Sequence, residues 1–258
     1  MINQEILVER EDGIATVILN RPEVKNALSM EMIKGLKEII DGFGEDDSVK
    51  AVIITGAGND FCSGADLACV QRDTSFVRIG CPSAQDVVTG IMGLEKPVIA
   101  AVSGFATAGG CELAIACDIR IASEGARFGE LFIKIGLIPG MVGIYLLPRL
   151  IGPGRAKEFV FTGDIIDAVE AEKIGLVNRV VPNDRLLDEA KALAKRLAAG
   201  PLLAIGKAKT AINRSLDADL RGSLDHMAAV QAKLCETEDH REGVSAFLEK
   251  RKATFRGR

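Results

Sequence analysis

The sequence predicts a mixed α/β fold, and three observations carry that reading. Short apolar runs with strand character are each followed closely by a glycine-broken loop and then by a helical pattern. This strand–loop–helix order recurs over residues 14–43, 51–69, 98–117 and 118–150 without a fixed-length repeat, which predicts stacked turns of one supersecondary unit. From Asp184 onward only helical periodicity is visible. The predicted division is an α/β core over 1–199 and a helical region over 200–258.

Taken in order, Ile6–Val8 and Ile14–Leu19 read as strands joined at Glu11-Asp12-Gly13. Ser29 is the expected N-cap of a helix whose apolar face is Met32, Leu36, Ile39, Ile40 and Phe43, with Glu31 in its first turn. Ala51–Thr55 is a buried strand running into GAGNDFCSGADL, a glycine-rich loop that opens a helix. That loop is not the dinucleotide fingerprint GxGxxG, because Phe61 stands at the third glycine position. Residues 70–85 have no clear period, and Pro82 or Ser83 is expected to open a helix through Leu94. Asp118–Ala122 reads as a strand, and FGELFIKIGLIPGMVG is broken by glycines and Pro139. A helix begins at Pro153, a short one covers Asp167–Ile174, and Leu176–Val181 is the last strand. In the tail, Leu186, Leu187, Ala190, Leu193, Ala194 and Leu197 form one apolar face, and Leu216, Leu220, Leu224, Met227 and Leu234 form another.

The stretch KPVIAAVSGFATAGGCE, Lys96 to Glu112, organises the rest. Val98–Val102 is a continuous apolar run after a proline, hence a buried strand, and CELAIACD is a good helix former. Backbone N–H groups at a helix start lack intrahelical partners and carry the positive end of the dipole. Gly109 and Gly110 allow a ligand atom close to that backbone, and Glu112 places a carboxylate two residues beyond. Donors aimed at a developing negative charge, with a carboxylate beside them, suit proton transfer next to a carbonyl. An acidic residue in a first helical turn is also common for dipole reasons alone. The missing Lys-Ser/Thr ending rules out a phosphate-binding P-loop of the usual form.

Composition narrows the field. The net charge of −4 and the lack of a basic run argue against nucleic acid. No apolar run reaches membrane-spanning length and the amino terminus has no signal pattern, so a cytoplasmic protein is expected. Six cysteines without a CxxC pair and two histidines, His226 and His240, give a metal site few ligands, so no metal is expected. HExxH, GxSxG and a Ser-His-Asp set are not visible; carboxylates and backbone donors must carry any catalysis.

At FCSGADL and SGFATAGGCELAIACDIRIAS the sequence strongly resembles the enoyl-CoA hydratase/isomerase (crotonase) family. LNRPEVKNALS, FTGDIIDAVEAEKIGLVNRVVP and SAFLEKRKATF extend the match over nearly the whole chain. The resemblance implies a spiral of repeated ββα units followed by a helical trimerisation region, giving a homotrimer or a dimer of trimers. It implies an acyl-CoA thioester as substrate and no separate cofactor, coenzyme A being part of that substrate. By position, the N–H groups of Ala65 and Gly109 correspond to the family's oxyanion hole and Glu112 to its first glutamate. Val24, Lys25 and Ala27 match the loop bordering the adenine, and Asp66 and Leu67 lie beside the thioester. Ser63, Phe105, Phe132, Pro139 and Gly140 complete the expected substrate-binding set. Lys250 matches a lysine that reaches the CoA phosphates, commonly from a neighbouring subunit; a solvated helix-end cation is the other reading.

Two departures matter. Hydratases of the family carry a second glutamate in FGxPE, and here that place is taken by Phe132. Isomerases often use an acid ending GLxPD, and here Gly140 stands there. Glu130 serves only if its loop changes register, and an exposed loop carboxylate is the expectation. Tyr145 reads either as a proton donor or as a core tyrosine with a satisfied hydroxyl. The leading expectation is hydration or dehydration of an enoyl-CoA with Glu112 as the one strong acid–base group. Isomerisation, hydrolysis or decarboxylation of a CoA ester, and non-catalytic acyl-CoA binding are the alternatives.

Overall fold

The apolar runs assemble into one six-stranded sheet in a computed structural model, which describes residues 4–72 and 75–258. Residues 73 and 74, within the stretch of unclear period, and 1–3, at the head of the segment read for a signal, lie outside the described residues. Along the chain the strands are β1 (Ile6–Glu11), β2 (Ile14–Leu19), β3 (Ala51–Gly56), β4 (Val98–Val102), β5 (Phe105–Thr107), β6 (Ile119–Ser123), β7 (Arg127–Gly129), β8 (Ile165–Asp167) and β9 (Arg179–Val181). The large sheet runs β1-β2-β3-β4-β6-β9; its β1–β2 hairpin is antiparallel and every other pair parallel. A small second sheet has the order β5-β7-β8.

The four predicted recurrences are four turns of a spiral. In each, a strand of the large sheet leads to a short segment in the second layer and then to a helix. The first is β2, a bridge at Leu28 to Ala65, and α1 (Met30–Glu45). The second is β3, a bridge from Cys62 to Ala106, then α2 (Leu67–Arg72) and α3 (Ser75–Gly93). The third is β4, β5 and α4 (Gly109–Ala116). The fourth is β6, β7, a 3-10 turn over Leu131–Ile135, and α5 (Gly143–Ile151). Then follow α6 (Pro153–Thr162), α7 (Ala168–Lys173), α8 (Leu186–Ala198), α9 (Leu202–Ser215), α10 (Leu220–Leu234) and α11 (Glu238–Leu248).

Alternation along the strands divides the core. Val17, Val52, Ile54, Val98 and Ala100 face the spiral helices with Met32, Leu36 and Phe43 of α1. Ile14, Ile53, Ile99 and Ile121 face the other way and are covered by Leu186, Ala190, Leu193 and Ala194 of α8. Burying each of the larger side chains contributes roughly 1.5–3 kcal/mol. Ser29 caps α1 as its sequence predicts, its side chain accepting from the Met32 N–H at 2.9 Å. Lys209 anchors α9: its ammonium donates to the Ile91 carbonyl at 2.7 Å and pairs with Asp118 at 2.9 Å.

Three expectations change. α3 begins at Ser75 and Pro82 lies inside it; a proline removes one donor from the ladder without stopping the turns on either side. β5 and β7 were not foreseen, because three residues are too few to show a period. The last strand shortens to β9, since the N–H groups of Leu176 and Val177 both bond to the Ala171 carbonyl and close α7 instead. The tail is helical as expected, but α10 buries no residue, and Leu220, Leu224, Met227, Phe247 and Leu248 are exposed. Among the described residues, no helix is long and apolar enough to cross a membrane.

Candidate active site

Two glycine loops meet at the amino end of α4. Asn26, fully buried, donates to the Ala57 and Asp60 carbonyls at 3.0 and 2.6 Å and accepts from the Arg21 N–H at 2.9 Å. Asp60 in turn accepts from the Phe105 N–H, and the Thr107 N–H donates to the Cys62 carbonyl. These bonds lock the loop after β3 against β5. Gly64, at φ +98, lies where the loops touch; a Cβ there would sit 2.9 Å from Ala108 Cβ and 3.1 Å from the Gly109 nitrogen. Only glycine fits that backbone conformation and that gap without displacement.

The N–H groups flanking Ala65 and Gly109 are engaged: Asp66 donates to Leu28, and Ala108 donates to Gly129. Among the described residues, those of Ala65 and Gly109 themselves have no acceptor. Both residues line one cavity of about 650 Å³. The paired glycines have separate duties, which the sequence reading had merged. Gly109 faces the cavity, whereas a Cβ on Gly110 would come within 2.0 Å of the Cys62 carbonyl oxygen, so Gly110 serves packing. Ala108 enters the helix at φ 49, ψ −123, a strained conformation for a residue with a side chain.

Glu112 lines the same cavity and is fully buried. Its Oε1 accepts from the Met141 N–H at 2.9 Å and the Gly143 N–H at 2.7 Å, while Oε2 has no partner. One oxygen is therefore pinned and the other free. Burial pushes this carboxyl above its ordinary value; the N–H bonds from Gly143 and Met141 pull it partway back. Gly143 is required for the clasp, since a Cβ there would lie 3.0 Å from Oε1 and 2.8 Å from Pro139 Cβ. The clasp of Met141 and Gly143 was not legible in the sequence, because it uses backbone donors 29 and 31 residues away.

Of the residues singled out from the sequence, Val24, Ala27, Ser63, Ala65, Asp66, Leu67, Gly109, Glu112, Phe132 and Gly140 all line this cavity. Lys25 and Phe105 do not; the Lys25 ammonium lies over the Phe105 ring, 4.0 Å from its centroid. Pro139 is buried behind the wall against Gly143. Lys250 is exposed just past α11 and is not part of the cavity within one chain. Asp66 is a brace: it accepts from Arg21 at 2.9 Å and from the Ala68 N–H at 3.1 Å. Burial alone would raise its carboxyl, but the Arg21 bond and charge outweigh this and hold it below the usual range.

The wall over residues 131–141 is apolar, with Leu131, Phe132, Ile135, Leu137, Ile138 and Met141. Cys81 and Ala84 of α3 add to the lining, from a segment the sequence left unread. The Gly140 carbonyl accepts from Gln85 at 2.6 Å and from the Cys81 thiol at 3.0 Å, and a Cβ on Gly140 would lie 2.9 Å from that sulfur. A side chain at position 140 would have to displace the Cys81 thiol.

One expectation is corrected, and one open alternative is decided. Glu130 is not an exposed loop carboxylate; it is fully buried, because β7 carries it inward beside α4. Tyr145 is no donor to the cavity: its hydroxyl donates to Asp217 at 2.8 Å and its ring packs under Arg149.

Residues 9–258 match the family model described as enoyl-CoA hydratase/isomerase. The chain is 41% identical over 257 residues to a crotonyl-CoA hydratase of Syntrophomonas wolfei, covering 99% of each. It is 41% identical over 249 residues to a short-chain-enoyl-CoA hydratase of Clostridium acetobutylicum, covering 96% of this chain and 95% of that one. The crystal structure of an enoyl-CoA hydratase from Bacillus anthracis superimposes with a TM-score of 0.96 at 37% identity, covering 99% of this chain and 100% of that one.

Proposed function

Since the chain belongs to the enoyl-CoA hydratase/isomerase family, we propose that it adds water to, or removes it from, an α,β-unsaturated acyl-CoA thioester through an enolate. One observation carries this: the free Oε2 of Glu112 and the unengaged N–H groups of Ala65 and Gly109 line the same cavity. A thioester carbonyl oxygen received by the two N–H groups becomes an enolate oxygen as water adds at the β-carbon. Each donor is stronger toward that charge than toward the neutral carbonyl, and losing one costs about 3 kcal/mol of transition-state stabilisation. Glu112 accepts the proton that water loses and returns it to the α-carbon, so one carboxylate serves both halves. Burial raises its carboxyl above the ordinary carboxylate value, which strengthens it as a proton acceptor. Phe132 stands where a second acid would be, and its ring makes that side of the cavity apolar.

Coenzyme A is part of the substrate in this reading, with Val24, Ala27, Ser63 and Leu67 along its path and Lys250 reaching its phosphates from a neighbouring copy. A trimer-based assembly belongs to the same proposal. The exposed leucines, Met227 and Phe247 on α10 and α11 support it, being costly to leave in water. Light scattering that finds a monomer at micromolar concentration overturns it. A cytoplasmic setting is supported by six free cysteines, as expected of a reducing compartment.

Turnover of enoyl-CoA esters in water labelled with heavy oxygen or deuterium tests the reaction. Heavy oxygen at the β-carbon is the expected result. Deuterium exchange without heavy oxygen makes the chain an isomerase, and tight CoA binding without turnover makes it a binding protein.

A further inference from the structure

Glu112 is not the only carboxyl buried at this point. Among the described residues, three buried side-chain oxygens lack a hydrogen-bond partner: Oε2 of Glu112 and both oxygens of Glu130. The topology explains their proximity. Thr107 of β5 pairs with Gly129 of β7, and the Ala108 N–H donates to the Gly129 carbonyl at 2.7 Å. The next residue on one strand is Glu130, while the other strand runs directly into Cys111 and Glu112. Glu112 lines the cavity and Glu130 does not, so Glu130 lies behind it, with the Cys111 thiol beside it.

No cation bonds or pairs with either carboxyl among the described residues. Arg120 of β6 is turned to the Cys117 and Leu176 carbonyls. On α5, Tyr145 and Arg149 engage Asp217. Arg127 donates to the Ala126 carbonyl, Asp167 caps α7, and Glu170 pairs with Lys173. Among the described residues, the titratable groups that face the two carboxyls are the half-buried Cys81 thiol and the buried Cys111 thiol, both held above the ordinary thiol value by desolvation.

We propose that Glu130 is a positioning residue for the Glu112 chemistry: a neutral carboxylic acid kept behind Glu112, whose ionisation shuts the site down at the alkaline end. The inference rests on the enolate reading above. Two buried carboxyls without a cation cannot both carry charge cheaply. Glu112 takes the first charge because two N–H groups bond its Oε1, whereas Glu130 has no N–H donor and only the weak donor of the Cys111 thiol beside it. Burial and the neighbouring Glu112 charge hold Glu130 neutral well above the usual carboxylate range. Once Glu130 ionises, a second negative charge lies behind Glu112. It opposes the growing charge on the thioester oxygen and makes Glu112 hold its proton more tightly.

The test combines Glu130→Gln with infrared spectroscopy and pH profiles. The wild type should show the carbonyl band of a protonated carboxylic acid at neutral pH, and Glu130→Gln should lose it. The variant should keep the acid limb of kcat/KM and move the alkaline limb up by about one pH unit or more, roughly tenfold in rate at that end. Superimposable profiles, or a band that survives the substitution, overturn the proposal. So does an alkaline limb that moves in Cys81→Ser but not in Glu130→Gln. If Glu130→Gln does not fold, a wild-type band that vanishes together with the alkaline limb supports the proposal, and absence of the band overturns it. If Glu112→Gln retains turnover, the enolate reading fails instead, and the infrared band alone decides the state of Glu130.

Discussion

The wall formed by residues 62–67 and 105–112 carries backbone donors and a carboxylate; the wall over residues 131–141 offers the cavity leucine, isoleucine, methionine and a phenyl ring. Both lie beside helix starts, yet they are held differently. The first is cross-linked by Asn26, Asp60 and the Arg21–Asp66 pair, so its donors keep their aim while charge develops. The second sends the Met141 N–H, with that of Gly143 at the start of α5, to clasp Glu112, and turns its apolar side chains toward the cavity. In the proposed reaction the stiff wall supplies the chemistry and the apolar wall the selectivity. Preorganised dipoles work because they need no reorientation in the transition state.

The largest effect that tests this division is at Glu112. Glu112→Gln keeps shape and burial but cannot accept the proton, so turnover should fall about 10²–10⁴-fold with the fold and CoA affinity nearly intact. Circular dichroism, CoA binding and kcat measured together check it, and near-wild-type turnover would remove Glu112 from its role. Next is Gly64→Ala, which adds a methyl 3.1 Å from the Gly109 nitrogen at φ +98. Displacing that donor should lower kcat by about 10²–10³-fold, the usual loss of one oxyanion donor. Retained kcat would mean that the loops carry no aimed donor.

On the apolar wall the effect should be smaller and should depend on the substrate. Phe132→Glu places an unpaired carboxyl in apolar surroundings, where it tends to stay protonated. It should lower kcat/KM for a cyclic enoyl-CoA by roughly tenfold, the scale of one mismatched group in a hydrophobic pocket. Crotonyl-CoA should suffer less. A variant improved on both substrates would show that Phe132 has no selective role. The smallest expected effect concerns strain in the stiff wall. Ala108→Gly relieves the φ 49 conformation and should raise the unfolding free energy by about 1 kcal/mol, read as a higher Tm. A lower Tm would mean that the Ala108 methyl, packed against Gly64, outweighs the strain.

The chain order already held most of the fold. Ser29, the apolar stripe of α1, the buried runs of β2 to β4 and the helical tail are local patterns, set by residues within a few positions of each other. Glu112 and the glycines before it were legible for the same reason, because a strand, a glycine turn and a helix start are contiguous. Three-residue strands were not, and neither was a helix running through Pro82, since periodicity needs length and proline normally marks an edge.

Glu130 marks the boundary between the two kinds of information. Its sequence context, a polar residue among glycines and apolar residues, predicts a solvated loop; its burial comes from β7 pairing with β5 and from α4 packing alongside. The clasp on Glu112 and the closeness of Gly64 to Gly109 likewise join residues that are distant in the chain. The sequence by itself determined the longer elements, the family and the place of Glu112 at a helix start, because each is written in contiguous residues. Tertiary structure alone decided which oxygen of Glu112 is free, which N–H groups are unengaged and which second carboxyl is shut away from water. Those properties depend on solvent exclusion and on donors arriving from other turns of the spiral, and neither exists until the chain has folded.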